Sequence, residues 1–229
     1  MTYKAYKAIG ESQVIVGYTT YIKLIEEIIT GQQVISTGMT KERDRSEQAV
    51  AAALEGKSVA VISSGDAGVY GMAGIILELL LKKDGQREVD VEVVPGVTAA
   101  NAAAAVLGAP LMHDYLTVSL SNLLTPWEKI RKRVKAAAES DCILAIYNPK
   151  SKKRTWQIEE VQQILLEHKS PEIPVGIVKN ACRDGERVEL STLGELTKCE
   201  IDMFSLIIVG NEETFKQDNW LITPRGYNI

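Results

Sequence analysis

Residues 58–81, SVAVISSGDAGVYGMAGIILELLL, combine three local signals that together predict how the chain folds. The run from Val59 to Ile62 is short, apolar and rich in β-branched residues, which is typical of a strand buried on both faces. Glycines at positions 65, 68 and 71 then permit tight turns and close approach of a ligand to the backbone. The apolar stretch from Met72 to Leu81 is long enough for a helix. Strand, glycine loop and helix in this order predict an open α/β sheet with a pocket at the carboxyl ends of its strands.

The glycine loop carries one acidic residue, Asp66, and one aromatic residue, Tyr70. It lacks both the Lys-Ser/Thr pair of a P-loop and the GxGxxG pattern of a dinucleotide fold. We therefore expect a small polar molecule, held by backbone groups, a carboxylate and an aromatic ring, instead of a phosphate. The alternative is an ordinary strand–helix corner whose glycines serve packing, and the loop alone does not decide between the two.

Composition limits the class of protein. The chain has 229 residues, of which 45% are hydrophobic and 24% are charged, as expected for one large or two small globular domains. The net charge of −4 gives no reason to expect a nucleic-acid partner or an anionic membrane. No apolar run is long enough to span a bilayer. The cysteines and histidines are too scattered for a metal site and indicate reduced thiols in a cytoplasmic protein; they are Cys142, Cys182, Cys199, His113 and His168.

The pattern of elements changes near the middle of the chain. Strand and helix patterns alternate up to residue 110, with strands predicted at 14–17, 34–36, 59–62 and 91–94, and this alternation favours a parallel sheet. Residues 115–121 instead alternate with period two, and Arg183-Asp184-Gly185 predicts a hairpin turn. We therefore expect two α/β domains, at 1–113 and 114–229, with a mostly parallel N-terminal sheet and a mixed C-terminal sheet.

Four motifs in order resemble those of the tetrapyrrole methylases. They are GDAGVYG at 65–71, VPGVTAA at 94–100, YNP at 147–149 and IVGN at 208–211. The run HDYLTVSLSNLLTPWE at 113–128 gives a more specific resemblance, to those members of the family that methylate C-17 of a precorrin and contract its ring. A methylase that acts on another ring carbon and a non-catalytic, ligand-binding relative remain open alternatives.

The resemblance implies an active-site cleft between two α/β domains, S-adenosylmethionine as methyl donor, a precorrin or cobalt-precorrin as acceptor, and a homodimer. It implies a cofactor site made of Ser64, Gly65, Asp66, Val69, Tyr70, Thr98, Ala99, Asn148 and Ala181. Family members begin with a strand and a glycine-proline loop that lead into a Met-Thr pair. Because Met1-Thr2 stands at that place here, we expect this first strand and loop to be missing from the sequence.

The side chains that would act on the substrate are less well defined. Methyl transfer from a sulfonium depends on positioning and on exclusion of water, so it requires no nucleophilic triad or protein-bound metal. Ring contraction would need proton transfers, for which the candidates are Asp66, Tyr70, His113 and Asp114. For His113 we favour a polar position at the domain junction over a role as a base.

Basic residues are expected to bind the substrate, because a precorrin carries several carboxylates. The main candidates follow the predicted strand at 142–147, and a second set lies at the start of the helix at 41–54. A solvated helix start is the alternative interpretation. The candidates are Lys150, Lys152, Lys153 and Arg154, and then Arg43 and Arg45.

Overall fold

The computed structural model describes residues 1–83 and 89–228, and its contacts divide the chain into two compact units, Met1–Thr98 and the part from Ala99 onward. The first unit contains, in chain order, α1 (Tyr3–Glu11), β1 (Val14–Tyr18), α2 (Thr19–Lys23), a 3-10 turn (Glu26–Ile28), β2 (Gln33–Thr37), α3 (Glu42–Leu54), β3 (Val59–Val61) and α4 (Ala73–Lys83).

The sheet of the first unit is parallel, with the strand order β2-β1-β3. Successive side chains of a strand point to opposite faces. On one face Ile15 of β1 packs with Ile22, Ile25 and Ile62. On the other face Val14 and Val16 pack against Ala49 of α3. The central strand is therefore covered on both sides, and the carboxyl ends of all three strands lie at one edge.

The second unit contains a five-stranded mixed sheet and a small three-stranded sheet, with the orders β5-β6-β9-β7-β8 and β10-β11-β4. Its elements are α5 (Ala99–Leu107), β4 (Gly108–Ala109), β5 (Tyr115–Ser119), α6 (Trp127–Glu139), β6 (Ile143–Tyr147), α7 (Gln157–Leu166), β7 (Pro174–Lys179), β8 (Arg187–Thr192), a 3-10 helix (Leu193–Lys198), β9 (Ser205–Val209), β10 (Phe215–Gln217) and β11 (Trp220–Ile222).

Strand β9 is the centre of the larger sheet, and it runs antiparallel to both of its neighbours, β6 and β7. All five residues of β6 and all five of β9 are buried. Helices α6 and α7 supply Ile130, Val134 and Val161 to the core on one face of the sheet. Helix α5 supplies Ala100, Ala103 and Leu107 to the core on the other face. Because β6 and β7 both oppose β9, their carboxyl ends lie at the same edge.

The expected fold class is confirmed, since the described residues form an α/β chain with a parallel sheet in the first unit and a five-stranded mixed sheet in the second. The hairpin predicted at residues 183–185 is also confirmed, because β7 and β8 pair antiparallel on either side of it and Gly185 has a φ of +73°. The predicted cleft between two domains stays a prediction.

One predicted strand is wrong, and another is less buried than expected. Residues 91–94 form no ladder with any strand in the described ranges. The segment contacts the start of the chain instead: Lys4 of α1 forms an ion pair with Glu92, and Thr2, the residue before α1, donates its hydroxyl to Pro95 O at 2.9 Å. Strand β3 is half-buried, not buried on both faces, because only β1 pairs with it among the strands that the structure describes.

The division between the units falls before α5, whereas the sequence places a domain boundary after residue 113. The structural reason is that α5 packs on the strands of the mixed sheet, and β4 pairs with β11 near the end of the chain. The domain ranges 1–113 and 114–229 stay a prediction.

Candidate functional site

The glycine loop and the segment that follows residue 94 form a single corner at the carboxyl end of β3. We call this the glycine corner and define it as residues 63–72 with Pro95 and Gly96. The carboxylate of Asp66 is its central group. One oxygen accepts the amide of Gly68 at 2.8 Å, and the other accepts the amide of Gly96, also at 2.8 Å. A single side chain thus holds together two pieces of backbone that are thirty residues apart.

These hydrogen bonds also determine the charge of the corner. The amide of Gly96, and then that of Gly68, stabilise the ionised carboxylate and hold the pKa of Asp66 below its ordinary value. Asp66 therefore remains an anion at neutral pH, with an amide on each of its oxygens. This arrangement suits a structural clamp better than a group that takes up and releases a proton.

The packing of the glycine corner leaves no room for side chains at two of its positions. A Cβ on Gly96 would lie 2.0 Å from the carbonyl oxygen of Gly65, and a Cβ on Gly71 would lie 2.5 Å from that of Ala67. Gly65 has a φ of +78° and Tyr70 a φ of +55°, so two residues of the loop have a left-handed backbone conformation. The result is a surface made largely of backbone, with Val69 and Tyr70 exposed beside it.

A second corner lies in the second unit, at the carboxyl ends of β5, β6 and β7. We call this the asparagine corner and define it as Ser119, Asn148, Arg154 and Asn180. Asn148 and Asn180 both follow a strand and both are left-handed, with φ values of +49° and +52°. The amide of Asn148 donates to the hydroxyl of Ser119 at 3.0 Å, and Arg154 donates to the carbonyl of Asn148 at 2.7 Å.

The N-terminus of α5 approaches the end of β6 in the same unit. The first amides of a helix have no partner within the helix, and here the amide of Ala100 donates to the hydroxyl of Tyr147 at 3.0 Å. Ala99 and Ala181 both pack on the core cluster that contains Tyr147. Three predicted cofactor residues, Ala99, Asn148 and Ala181, therefore belong to one region of the second unit.

The other predicted cofactor residues belong to the first unit. Ser64, Gly65, Asp66, Val69 and Tyr70 lie in the glycine corner itself, and Thr98 ends this unit. The structure thus gathers the predicted set into two groups, one within each unit.

The predicted basic residues are placed unequally. Lys152 and Lys153 are exposed in the turn after β6, whereas Lys150 and Arg154 are half-buried. Desolvation lowers the pKa of the Arg154 guanidinium, although its ordinary value is so high that the group stays charged. Arg43 is exposed on α3 and pairs with Glu47 at 3.0 Å. Arg45 is only 3% exposed, so it faces the interior of the unit and not a bulky solvent-borne ligand.

His113 and Asp114 lie together at a cavity in the second unit. The cavity has a volume of about 340 Å³ and is lined by Leu111, Met112, His113, Asp114 and Arg225. The imidazole Nε2 of His113 lies 3.6 Å from a carboxylate oxygen of Glu213. This polar, partly exposed setting is available to a proton carrier, but no hydrogen-bonded relay leads from it within the described residues.

Sequence reasoning missed two contacts that organise the corners. The Tyr147 hydroxyl joins residues that are 47 positions apart, and Arg45 contacts residues on two other elements of its unit. No pattern of neighbouring residues in the sequence predicts either contact, although Tyr147 itself belongs to the YNP motif.

The chemistry of both corners suits a small polar organic ligand. Backbone amides and carbonyls, an asparagine, small alanines and an exposed tyrosine offer directed hydrogen bonds and apolar contact. Among residues 1–83 and 89–228, no group of three or more His, Cys, Asp and Glu side chains is arranged to hold a metal ion. Over the same residues, no helix has the length and apolar character that a membrane span requires.

The fold and the two corners define an α/β protein in which polar side chains and free turns of backbone meet at the carboxyl ends of the strands. Comparison with known proteins gives its class: the chain belongs to the tetrapyrrole (corrin/porphyrin) methylase family, which it matches over residues 1–197. It is therefore a member of a family of methyltransferases.

Similarity to individual proteins extends over the whole chain. The chain is 54% identical to the cobalt-factor III methyltransferase of Priestia megaterium over 99% of its own length, but it spans only 42% of that larger protein. It is 47% identical to a probable cobalt-factor III C(17)-methyltransferase of Salmonella typhimurium, over 100% of this chain and 94% of that relative. The crystal structure of the methyltransferase CobJ superposes with a TM-score of 0.91 at 34% identity, covering 98% of this chain and 93% of CobJ.

Proposed function

We propose that this chain transfers a methyl group from S-adenosylmethionine to C-17 of a cobalt-factor III or precorrin-3 type tetrapyrrole, with ring contraction, in cobalamin biosynthesis. The observation that carries the proposal is the match to the Salmonella typhimurium relative, because it extends over nearly the full length of both chains. The 54% identity to the Priestia megaterium protein, whose name gives the same substrate, supports it.

In this proposal the two corners bind the cofactor. S-adenosylmethionine supplies a methyl group on a positively charged sulfur, and a nucleophilic ring carbon accepts it. The residues of the first unit are Ser64, Gly65, Asp66, Val69, Tyr70 and Thr98, and those of the second are Ala99, Asn148 and Ala181. Their contribution is to position the reacting groups and exclude water, which accounts for a large part of the rate in such a displacement.

The carboxylates of the substrate are assigned to the basic residues that follow β6, of which Lys152 and Lys153 are exposed and Lys150 and Arg154 half-buried. Lys150, Lys152, Lys153 and Arg154 follow β6 and have no acidic partner at salt-bridge distance among the described residues. Arg43 on α3 is a second candidate, although Glu47 already pairs with it. Proton transfers during ring contraction are assigned to Tyr70, His113 or Asp114 in preference to Asp66, because both oxygens of Asp66 already accept amides.

The same proposal includes a cytoplasmic homodimer, for which the support is the family resemblance. Analytical ultracentrifugation of the purified chain tests the dimer directly. A sedimentation coefficient that corresponds to 25.1 kDa at all concentrations would refute it.

Two measurements test the activity. Calorimetric titration with S-adenosylhomocysteine asks whether the cofactor site exists, and incubation with cobalt-factor III and S-adenosyl-[methyl-¹³C]methionine, followed by ¹³C NMR, asks where the methyl group goes. We expect binding and a labelled methyl group at C-17. Methylation at another carbon would identify a different tetrapyrrole methylase.

The remaining outcomes separate the alternatives further. Binding of S-adenosylhomocysteine without methyl transfer would favour a non-catalytic ligand-binding relative. Absence of both binding and transfer would contradict the proposed function altogether.

A further inference from the structure

Arg45 is a cation buried inside the first unit. It lies in the first turns of α3, and its side chain is 4% exposed. A buried charge has a large desolvation cost, which good hydrogen-bond geometry must offset. Its neighbour Arg43 is 81% exposed, so the two arginines that look equivalent in the sequence occupy opposite environments.

The guanidinium of Arg45 contacts the end of β2. One terminal nitrogen, Nη1, donates to the hydroxyl of Thr37 at 2.6 Å and to the carbonyl of Gly38 at 3.4 Å. Thr37 is the last residue of β2, and its carbonyl in turn accepts the hydroxyl of Thr19 at the start of α2. The arginine therefore caps the carboxyl end of a strand in the parallel sheet.

The other terminal nitrogen of Arg45 points toward the glycine corner. Nη2 lies 3.8 Å from a carboxylate oxygen of Glu42 on the same helix and 3.9 Å from the sulfur of Met72, the residue that joins the glycine loop to α4. The position of Met72 is also held from the loop side, because its amide donates to the hydroxyl of Ser63 at 3.0 Å. The amide of Ala73 closes the same turn on the carbonyl of Ala67 at 3.0 Å.

We propose that Arg45 is a positioning residue for the cofactor: it links the end of β2 to Met72 and so determines the conformation of residues 64–71. The inference rests on the proposed function for its catalytic meaning, because those residues are the ones assigned to S-adenosylmethionine. A planar guanidinium has its donors in a fixed fork and loses less side-chain freedom when it contacts two elements than a lysine ammonium on a flexible stem does. Arg45 itself is not assigned a contact with cofactor or substrate.

The test compares Arg45→Met and Arg45→Lys with Lys41→Met, which removes one positive charge from an exposed side chain at the N-terminal cap of the same helix. Amide hydrogen exchange, read by mass spectrometry on the full chain, is the primary measurement. We expect faster exchange in the Arg45 variants confined to residues 37–38 and 63–73, with Lys41→Met unchanged. The dissociation constant for S-adenosylhomocysteine should rise on the order of tenfold, which corresponds to the loss of about one hydrogen bond from displaced loop residues.

The Lys variant and a further variant keep the test decisive if Arg45→Met does not fold. Thr37→Val removes the hydroxyl that Arg45 contacts and leaves the arginine in place, so it should speed exchange in the same peptides to a smaller extent. Exchange that rises uniformly across both units, or S-adenosylhomocysteine affinity that is unchanged in the folded variants, would overturn the proposal.

Failure of the proposed function remains distinguishable from failure of this inference. If the unaltered chain does not bind S-adenosylhomocysteine, the cofactor assignment fails. The exchange pattern still decides whether Arg45 controls the glycine corner.

Discussion

The glycine corner and the asparagine corner both lie at the carboxyl ends of strands. Main-chain donors hold the first corner in place, whereas side-chain donors hold the second. In the first, backbone amides converge on one carboxylate, Asp66, and two glycines allow backbone to approach backbone. In the second, side chains supply the donors: the amide of Asn148 donates to the hydroxyl of Ser119, and Arg154 donates to the main-chain carbonyl of Asn148.

The sheets beneath the two corners also differ, in how deeply their strands are buried. Strands β6 and β9 are buried along their whole length, whereas β3 is half-buried and β2 is largely exposed. The asparagine corner therefore stands on a large apolar core. The glycine corner depends more on local polar contacts, so substitutions there should alter local structure and binding more than global stability.

The largest expected effect is in the core of the second unit. Ile207 of β9 has no exposed surface, and Ile207→Ala should reduce the free energy of unfolding by about 4 kcal/mol through lost burial and the cavity left behind. Val188→Ala, at an edge-strand residue that is 45% exposed, is the matched control and should change it by less than about 0.5 kcal/mol. Denaturant titration measures both, and equal effects would contradict the contrast in burial.

Gly96→Ala should have the next largest effect, and a local one. The added methyl group would overlap the carbonyl of Gly65, so Gly65 and Gly96 must separate and the bond from Gly96 to Asp66 must weaken. We expect a loss of about 2 kcal/mol in stability together with weaker binding of S-adenosylhomocysteine. Gly74→Ala in α4 is the control, because nothing lies within 4 Å of the Cβ that it adds. If both variants behave alike in thermal denaturation and calorimetry, the close approach is not important.

Asp66→Asn tests the clamp through its pH dependence. An asparagine offers one acceptor oxygen to two amides, and this partly exposed site should lose about 1 kcal/mol at neutral pH. The folded pKa of Asp66 is lowered, so the carboxylate stabilises the fold above the unfolded pKa of about 3.9 and loses that effect as the pH falls through the lower folded pKa. Urea titrations at pH 7 and below pH 4 should therefore show the difference in stability between the unaltered chain and the Asp66→Asn variant shrinking in acid. A difference that does not vary with pH would refute the clamp.

The smallest expected effect is in the asparagine corner. Ser119→Ala removes the hydroxyl that accepts from Asn148, but Asn148 is exposed and water can replace the lost partner. We expect a change of about 0.5 kcal/mol in the free energy of unfolding. Amide exchange around residues 147–149 should hardly change, since Arg154 still holds the carbonyl of Asn148. A large local loss of protection would mean that the second corner depends on one side chain, as the first one depends on Asp66.

Local patterns were sufficient to predict most of the sheet and the glycine corner. Apolar runs such as those of β6 and β9 indicate buried strands, and the glycines at 65, 68 and 71 indicate a loop in which backbone can approach backbone closely. Residues 91–94 have the same β-branched composition but form no strand, because a strand requires a neighbour and composition does not say whether one is present. The two-residue β4 and the short hairpin of β10 and β11 are too brief to produce a periodic signal.

The candidate site was predictable only as a set of positions. The motifs indicated where Asp66 and Asn148 lie, but not that both oxygens of Asp66 accept amides or that Tyr147 accepts from α5. Arg43 and Arg45 have the same charge and lie two positions apart on one helix, so the sequence predicted the same role for both. Only the packing of α3 distinguishes the exposed arginine from the buried one.

The central position of β9 has a consequence for synthesis of the protein. It separates β6 from β7 in the sheet, yet it follows both of them in the chain by many residues. A growing polypeptide can form the β5–β6 pair and the β7–β8 hairpin early, as two separate pieces with exposed inner edges. These pieces can join only after residues 205–209 have left the ribosome. A polypeptide truncated before residue 205 should therefore aggregate through its exposed strand edges and not form a smaller stable sheet.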